Sequence, residues 1–153
     1  KKVTRTDYLD RDGNPAALAT GVATILDEYD ENGNLTSETY LDEDGDRHTI
    51  SKSTKKVSYA YAEIRKSYNE KNKITEQAYY DVDGNLAAGP SLFAIQRNEY
   101  DEKGRLTLTS WFDKYENPYT NKKGYASMET TYEEDGSKTV TYYNAYGDEV
   151  SVK

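Results

Sequence analysis

Asp42, Asp44 and Asp46 surround Gly45, and Asp81 and Asp83 precede Gly84, carboxylate spacings that invite a calcium reading. An EF-hand loop needs oxygen ligands at positions 1, 3, 5 and 12 and glycine at 6. With Gly45 at position 6, Asp42 and Asp44 fall at 3 and 5, but Tyr40 falls at 1 and Ser51 at 12, and neither supplies a carboxylate. Turn chemistry accounts for the same residues without a metal: the acidic side chain caps the turn and the glycine takes the positive φ. His48, the single histidine, lies near Ser51 and Ser53. A serine–histidine–acid relay needs the imidazole held between nucleophile and orienting acid, and no nucleophile-elbow motif is present. The 28 Asp and Glu residues could supply a glycosidase pair only where two share a cleft and titrate apart. Here they recur in equivalent turns, whereas a catalytic group occurs once. With no cysteine there is no thiolate and no disulfide framework. The chain is therefore expected to be no enzyme and to need neither cofactor nor metal.

The aromatic residues carry the remaining chemistry. Tyr40, Tyr79, Trp111 and Tyr142 occupy equivalent positions, opposite in phase to Leu41, Tyr80, Phe112 and Tyr143. Should the second set face the core, the first forms an outer stripe. Such a stripe can stack on sugar rings or hold a quaternary ammonium by cation–π attraction, each contact contributing about 0.5–2 kcal/mol, with avidity across copies. The other reading buries both sets, one in each of two layers.

Those positions are phased by an internal repeat. Tyr29-Asp-Glu-Asn-Gly-Asn-Leu, Tyr68-Asn-Glu-Lys-Asn-Lys-Ile, Tyr100-Asp-Glu-Lys-Gly-Arg-Leu and Tyr132-Glu-Glu-Asp-Gly-Ser-Lys align, with lead tyrosines 39, 32 and 32 residues apart. The second aromatic follows eleven residues later in three copies and ten later in the fourth. A second turn comes next, at 42–46, 81–85, 113–117 and 144–148. Six residues before each lead tyrosine stands Ala23, Ala62, Ala94 or Ala126, preceded by Val22, Tyr61, Phe93 or Tyr125. The seven extra residues of the first full unit fall in polar 46–58, where a surface loop absorbs an insertion. Asp10–Asn14 copies the second turn alone, so the chain is expected to begin inside a unit of a larger surface protein. One domain over 1–153 is expected, with a partial unit at 1–20 and units at 21–59, 60–91, 92–123 and 124–153.

Turns of the Asp/Asn-x-x-Gly type between alternating runs predict β-hairpins. Along Arg105–Phe112, Leu106, Leu108, Ser110 and Phe112 share one face and Thr107, Thr109 and Trp111 the other. Helix is expected to be local at most, around Pro15–Leu18 or Ala87–Phe93. A lone hairpin is marginal in water, so the fold class is all-β: tandem antiparallel hairpins stacked, one face on the next, into an elongated, solenoid-like array.

Composition sets the outer bounds. Leu, Ile, Val and Phe number 23 of 153, below the one-fifth that with high charge ordinarily marks disorder. Sixteen tyrosines compensate, each ring burying roughly 150–250 Å². The net charge of -8 and pI of 4.8 oppose nucleic-acid phosphates and anionic membranes. No stretch approaches the roughly 20 apolar residues of a spanning helix.

Taken together, Tyr29-Asp30…Gly33-Asn34-Leu35, Tyr100-Asp101…Gly104-Arg105-Leu106, Tyr79…Asp83-Gly84-Asn85 and Gly124-Tyr125-Ala126 resemble the tyrosine–aspartate (YD, RHS-type) repeats of bacterial surface proteins. They are similar also to the aromatic cell-wall- and glucan-binding repeats of Gram-positive bacteria. The resemblance implies a secreted, non-catalytic module at the cell surface or wall. It would bind a neutral glycan or the cell envelope through Tyr40, Tyr79, Trp111 and Tyr142. A spacer or stalk presenting another domain, and a protein-interaction surface, are the alternatives.

Overall fold

The computed structural model describes residues 1–152. Twelve strands follow one another: β1 (Lys2–Asp7), β2 (Thr24–Tyr29), β3 (Leu35–Leu41), β4 (Ile50–Ser53), β5 (Ser58–Tyr61), β6 (Glu63–Tyr68), β7 (Ile74–Tyr80), β8 (Ile95–Tyr100), β9 (Leu106–Phe112), β10 (Ser127–Tyr132), β11 (Lys138–Tyr143) and β12 (Glu149–Val150). Ten of them form one open sheet in the order β1-β2-β3-β6-β7-β8-β9-β10-β11-β12, every pairing antiparallel. The class is all-β.

The manner of joining differs from face-on stacking. Each hairpin hydrogen-bonds to the next along its edge, through β3–β6, β7–β8 and β9–β10. A lone hairpin leaves a row of unpaired backbone groups on each side, and edge-to-edge joining satisfies them where face stacking would not.

One turn geometry closes nearly every connection. In 30–34 the Asp30 N–H donates to the Asn34 carbonyl and the Gly33 N–H to the Asp30 carbonyl, while Asp30 Oδ1 accepts from the N–H groups of Asn32 and Asn34. Gly33 has φ of 82°, a region costly for residues with a Cβ. The same backbone pair recurs at 42–46, 69–73, 81–85, 101–105, 113–117, 133–137 and 144–148. It recurs also at 18–22, 89–93 and 121–125, a third turn per connection. That third turn removes the expected local helices. Pro15 bridges to Leu9, the Ala87 N–H donates to the Tyr79 carbonyl, and the described residues contain no helix.

The tyrosine phasing has a backbone cause. The β2–β3, β6–β7 and β8–β9 ladders each shift register beside the lead tyrosine, at Glu28/Tyr29, Ser67/Tyr68 and Glu99/Tyr100. A bulge adds one residue to one strand. The β10–β11 ladder runs without a shift to Tyr132↔Lys138, which is why its second aromatic arrives one residue early. The lead hydroxyls reach back to the preceding hairpin: Tyr68 donates to the Leu35 carbonyl (2.7 Å), Tyr100 to Ile74 (2.8 Å) and Tyr132 to Leu106 (2.9 Å).

The alanines sit at the seams. Ala62 accepts from the Tyr40 N–H and donates to the Tyr80 carbonyl; Ala94 joins Tyr79 to Phe112 and Ala126 joins Trp111 to Tyr143 in the same way. Residues 46–58, expected as a polar loop, mostly build a separate β4–β5 hairpin, whose neighbouring Ile50 and Tyr59 pack against the core.

Candidate functional site

Tyr40 sits on β3 opposite Ile25, Tyr79 on β7 opposite Ile64, Trp111 on β9 opposite Gln96 and Tyr142 on β11 opposite Met128. All four therefore point to one face, as the spacing predicts. That face is the inner one at its middle. Tyr40 and Tyr79 are 7% and 8% exposed and share a core cluster with Val22, Tyr61 and Ala87. Trp111 and Tyr142 are half-buried. The returning connections lie over this face and bring the residues before each alanine down onto it.

The result is two interleaved aromatic runs along one face. Tyr40 meets Tyr61 edge to face at 5.9 Å, Tyr61 meets Tyr79 at 5.1 Å and Tyr79 meets Phe93 at 6.1 Å. Further along, Trp111 meets Tyr125 at 5.6 Å and Tyr125 meets Tyr142 at 4.7 Å. Edge-to-face pairs of this kind add about 0.5–1.5 kcal/mol beyond their burial. Their polar ends are also taken. The Tyr40 hydroxyl donates to Glu38, Gln77 Nε2 donates to the Tyr79 hydroxyl, and Trp111 Nε1 donates to Gln96 Oε1. Burial raises the Tyr40 phenol far above its ordinary range, with the Glu38 hydrogen bond adding to it; burial likewise raises Tyr61 and Tyr79.

The opposite phase carries a second, smaller core layer, and two of its rings are also roofed by arginines. Arg65 lies 3.9 Å over the Tyr80 ring and Arg97 4.7 Å over Phe112. Of the two readings the alternation leaves open, burial of both sets in two layers is the one the middle of the sheet fits: Leu41 is 9% exposed, and Tyr80 and Phe112 pack against Ala78, Ala94 and Ile95. The connections, whose path no periodicity records, choose the face they cover.

Two acidic clusters were not foreseen. Glu63, buried, takes Arg65 Nε at 2.8 Å, Arg47 Nη2 at 2.9 Å and the Ser37 hydroxyl at 3.3 Å. Burial pushes its carboxyl up, but the Arg65 hydrogen bond and the charges of Arg65 and Arg47 outweigh this and hold it below the ordinary range. Asp27 and Glu38 face each other across the β2–β3 ladder. Burial, then the Glu38 charge, raises the Asp27 carboxyl, and Asp27 Oδ1 is buried without a hydrogen-bond partner. Only the β2 and β3 copies carry acids there; the corresponding pairs are Lys66–Gln77, Asn98–Thr109 and Thr130–Val140.

The other sequence candidates take structural places. Asp42 Oδ1 accepts from the N–H groups of Asp44 and Asp46, as Asp81 Oδ1 does from Asp83 and Asn85. His48 docks on Gly21, where an added Cβ would lie 2.3 Å from its Nε2, and that nitrogen is 2.8 Å from the Thr20 carbonyl. Its imidazole thus helps close a connection rather than facing Ser51. No three His, Cys, Asp or Glu side chains converge as a metal site among the described residues. No protein-family model matches the chain, and no curated protein matches it significantly.

Proposed function

We propose that this chain is a non-catalytic spacer: hairpin units of the tyrosine–aspartate type joined into an elongated, solenoid-like array at the cell surface, presenting another domain. The observation that carries the reading is the burial of Tyr40 and Tyr79 at 7% and 8% exposure. Residues suited to stacking on a ligand are spent on each other, and a sugar ring has no open face at these two. What distinguishes their run chemically is mutual edge-to-face contact, which stiffens neighbouring units against bending. A spacer needs that stiffness, and the acidic surface keeps copies apart through like-charge repulsion.

Glycan binding has one foothold, the half-buried, partly accessible Trp111 and Tyr142. Retention of the purified chain on cell wall and insoluble polysaccharides, beside Trp111→Ala, separates the two. No retention of either protein is the expected result. Retention that disappears with Trp111→Ala sinks the spacer reading in favour of an envelope-binding one.

A further inference from the structure

Fourteen of the sixteen tyrosines are buried or half-buried; Tyr115 and Tyr146 are 74% and 91% exposed. These two occupy one position in two equivalent turns. The Tyr115 N–H donates to Asp113 Oδ1 (2.8 Å) and the Tyr146 N–H to Asn144 Oδ1 (2.9 Å). The turn does not need a ring at this position, since Asp12, Asp44 and Asp83 fill it elsewhere with the same backbone bonds. Neither ring contributes to the core; Tyr115 is met only by the neighbouring Lys114 ammonium, 5.3 Å over its ring.

Their placement is specific. Turn 113–117 follows β9 and turn 144–148 follows β11, with β10 alone between those strands. Strand spacing puts the two turns roughly 10 Å apart, a gap that two tyrosine side chains leaning toward each other span. A groove of about 180 Å³ beside the two turns is lined by residues flanking both tyrosines, Phe112 and Pro118 on one side and Ala145 and Gly147 on the other.

We propose that Tyr115 and Tyr146 form an oxidative cross-linking site, joined within one chain as a dityrosine when a peroxidase and hydrogen peroxide are supplied. Each phenol gives up its O–H hydrogen atom, one proton and one electron. The two phenoxyl radicals couple through ring carbons ortho to oxygen, and each of those carbons then passes its hydrogen to its own oxygen. Two hydrogens are lost overall, and one peroxide is reduced to two waters. The link ties the last two hairpins together across β10, at the end of the sheet where the partner strand β12 is only two residues long. This chemistry is independent of whether the chain acts as a spacer.

The test treats the full chain with a haem peroxidase and hydrogen peroxide at low and tenfold higher protein concentration. Product size, dityrosine fluorescence and linked peptides by mass spectrometry are read for the native chain, Tyr115→Phe and Tyr146→Phe, with circular dichroism confirming that each variant is folded. Expected is a monomeric product two hydrogens lighter, its 115–146 peptide pair formed in equal yield at both concentrations and abolished by either substitution. No 115–146 link, a link formed only between molecules, or a monomeric link surviving Tyr146→Phe overturns the proposal.

Discussion

Asp27 and Glu38 stand directly opposite each other on β2 and β3, and Asp27 Oδ1 is buried without a hydrogen-bond partner. Like charges in this position destabilise a sheet. Asp27 is raised by burial and by Glu38, so the folded chain holds this proton more tightly than the unfolded chain does. The contribution of this pair is therefore most favourable below the ordinary carboxyl range and falls as pH rises through the raised Asp27 value. Asp27→Asn should remove that fall and gain about 0.5–1 kcal/mol at neutral pH. Melting curves from pH 4 to 8 check it; an unchanged pH profile refutes the pair.

Glu63 has the opposite sign. Its carboxyl is held low by Arg65 and Arg47 against burial, so its contribution is present above the ordinary Glu value and is lost as pH falls through the lowered one. Glu63→Gln should cost about 1–3 kcal/mol at pH 7, less than a fully buried pair because both arginines are partly exposed. Urea unfolding at pH 7 and pH 3 should show the difference between wild type and variant shrinking in acid.

At the seams, Ala62 is 0% exposed and bonded to strands on both sides. Ala62→Val should overpack the junction and cost about 1–3 kcal/mol. At Gly89 an added Cβ would sit 2.5 Å from the Tyr79 ring, so Gly89→Ala should displace that ring and alter the near-ultraviolet circular dichroism of the tyrosines. An unaltered aromatic spectrum would contradict the packing described.

The lead tyrosines separate hydroxyl from ring. Tyr68→Phe removes one bond to the Leu35 carbonyl and should cost about 1 kcal/mol. Tyr40→Ala removes a core ring and should cost about 3–5 kcal/mol. A Tyr68→Phe chain as unstable as Tyr40→Ala would show that the hydroxyl bond holds the hairpins together by itself.

Turns, strand alternation and repeat phase were legible because each leaves a local mark: an aspartate, a glycine, a period of two. The one-residue shortfall of the fourth unit marks where the bulge beside Tyr132 is absent. Which phase the connections cover was not legible. Tyr61 and Tyr125 were seen to precede alanines, but only the folded connections lay them between Tyr40 and Tyr79 or beside Trp111. The third turn was missed at 18–22, 89–93 and 121–125 because Leu18, Gly89 and Asn121 share no residue type. Asp27 and Glu38 were lost among the turn acids, although their positions in alternating strands rather than in turns distinguished them.

Strand parity limits how copies of this chain can polymerise. Setting aside the two-residue β12, the sheet begins with β1 and ends with β11, and antiparallel order makes those two run in the same direction. A translated copy could extend the sheet only by parallel pairing of β11 with the next β1. A two-fold copy would set β1 against β1, with Lys2 of each opposite Asp7 of the other in full register. Among the described strands, growth by translated copies, the hazard of any open sheet, is thus confined to parallel pairing, while a two-fold copy can pair antiparallel.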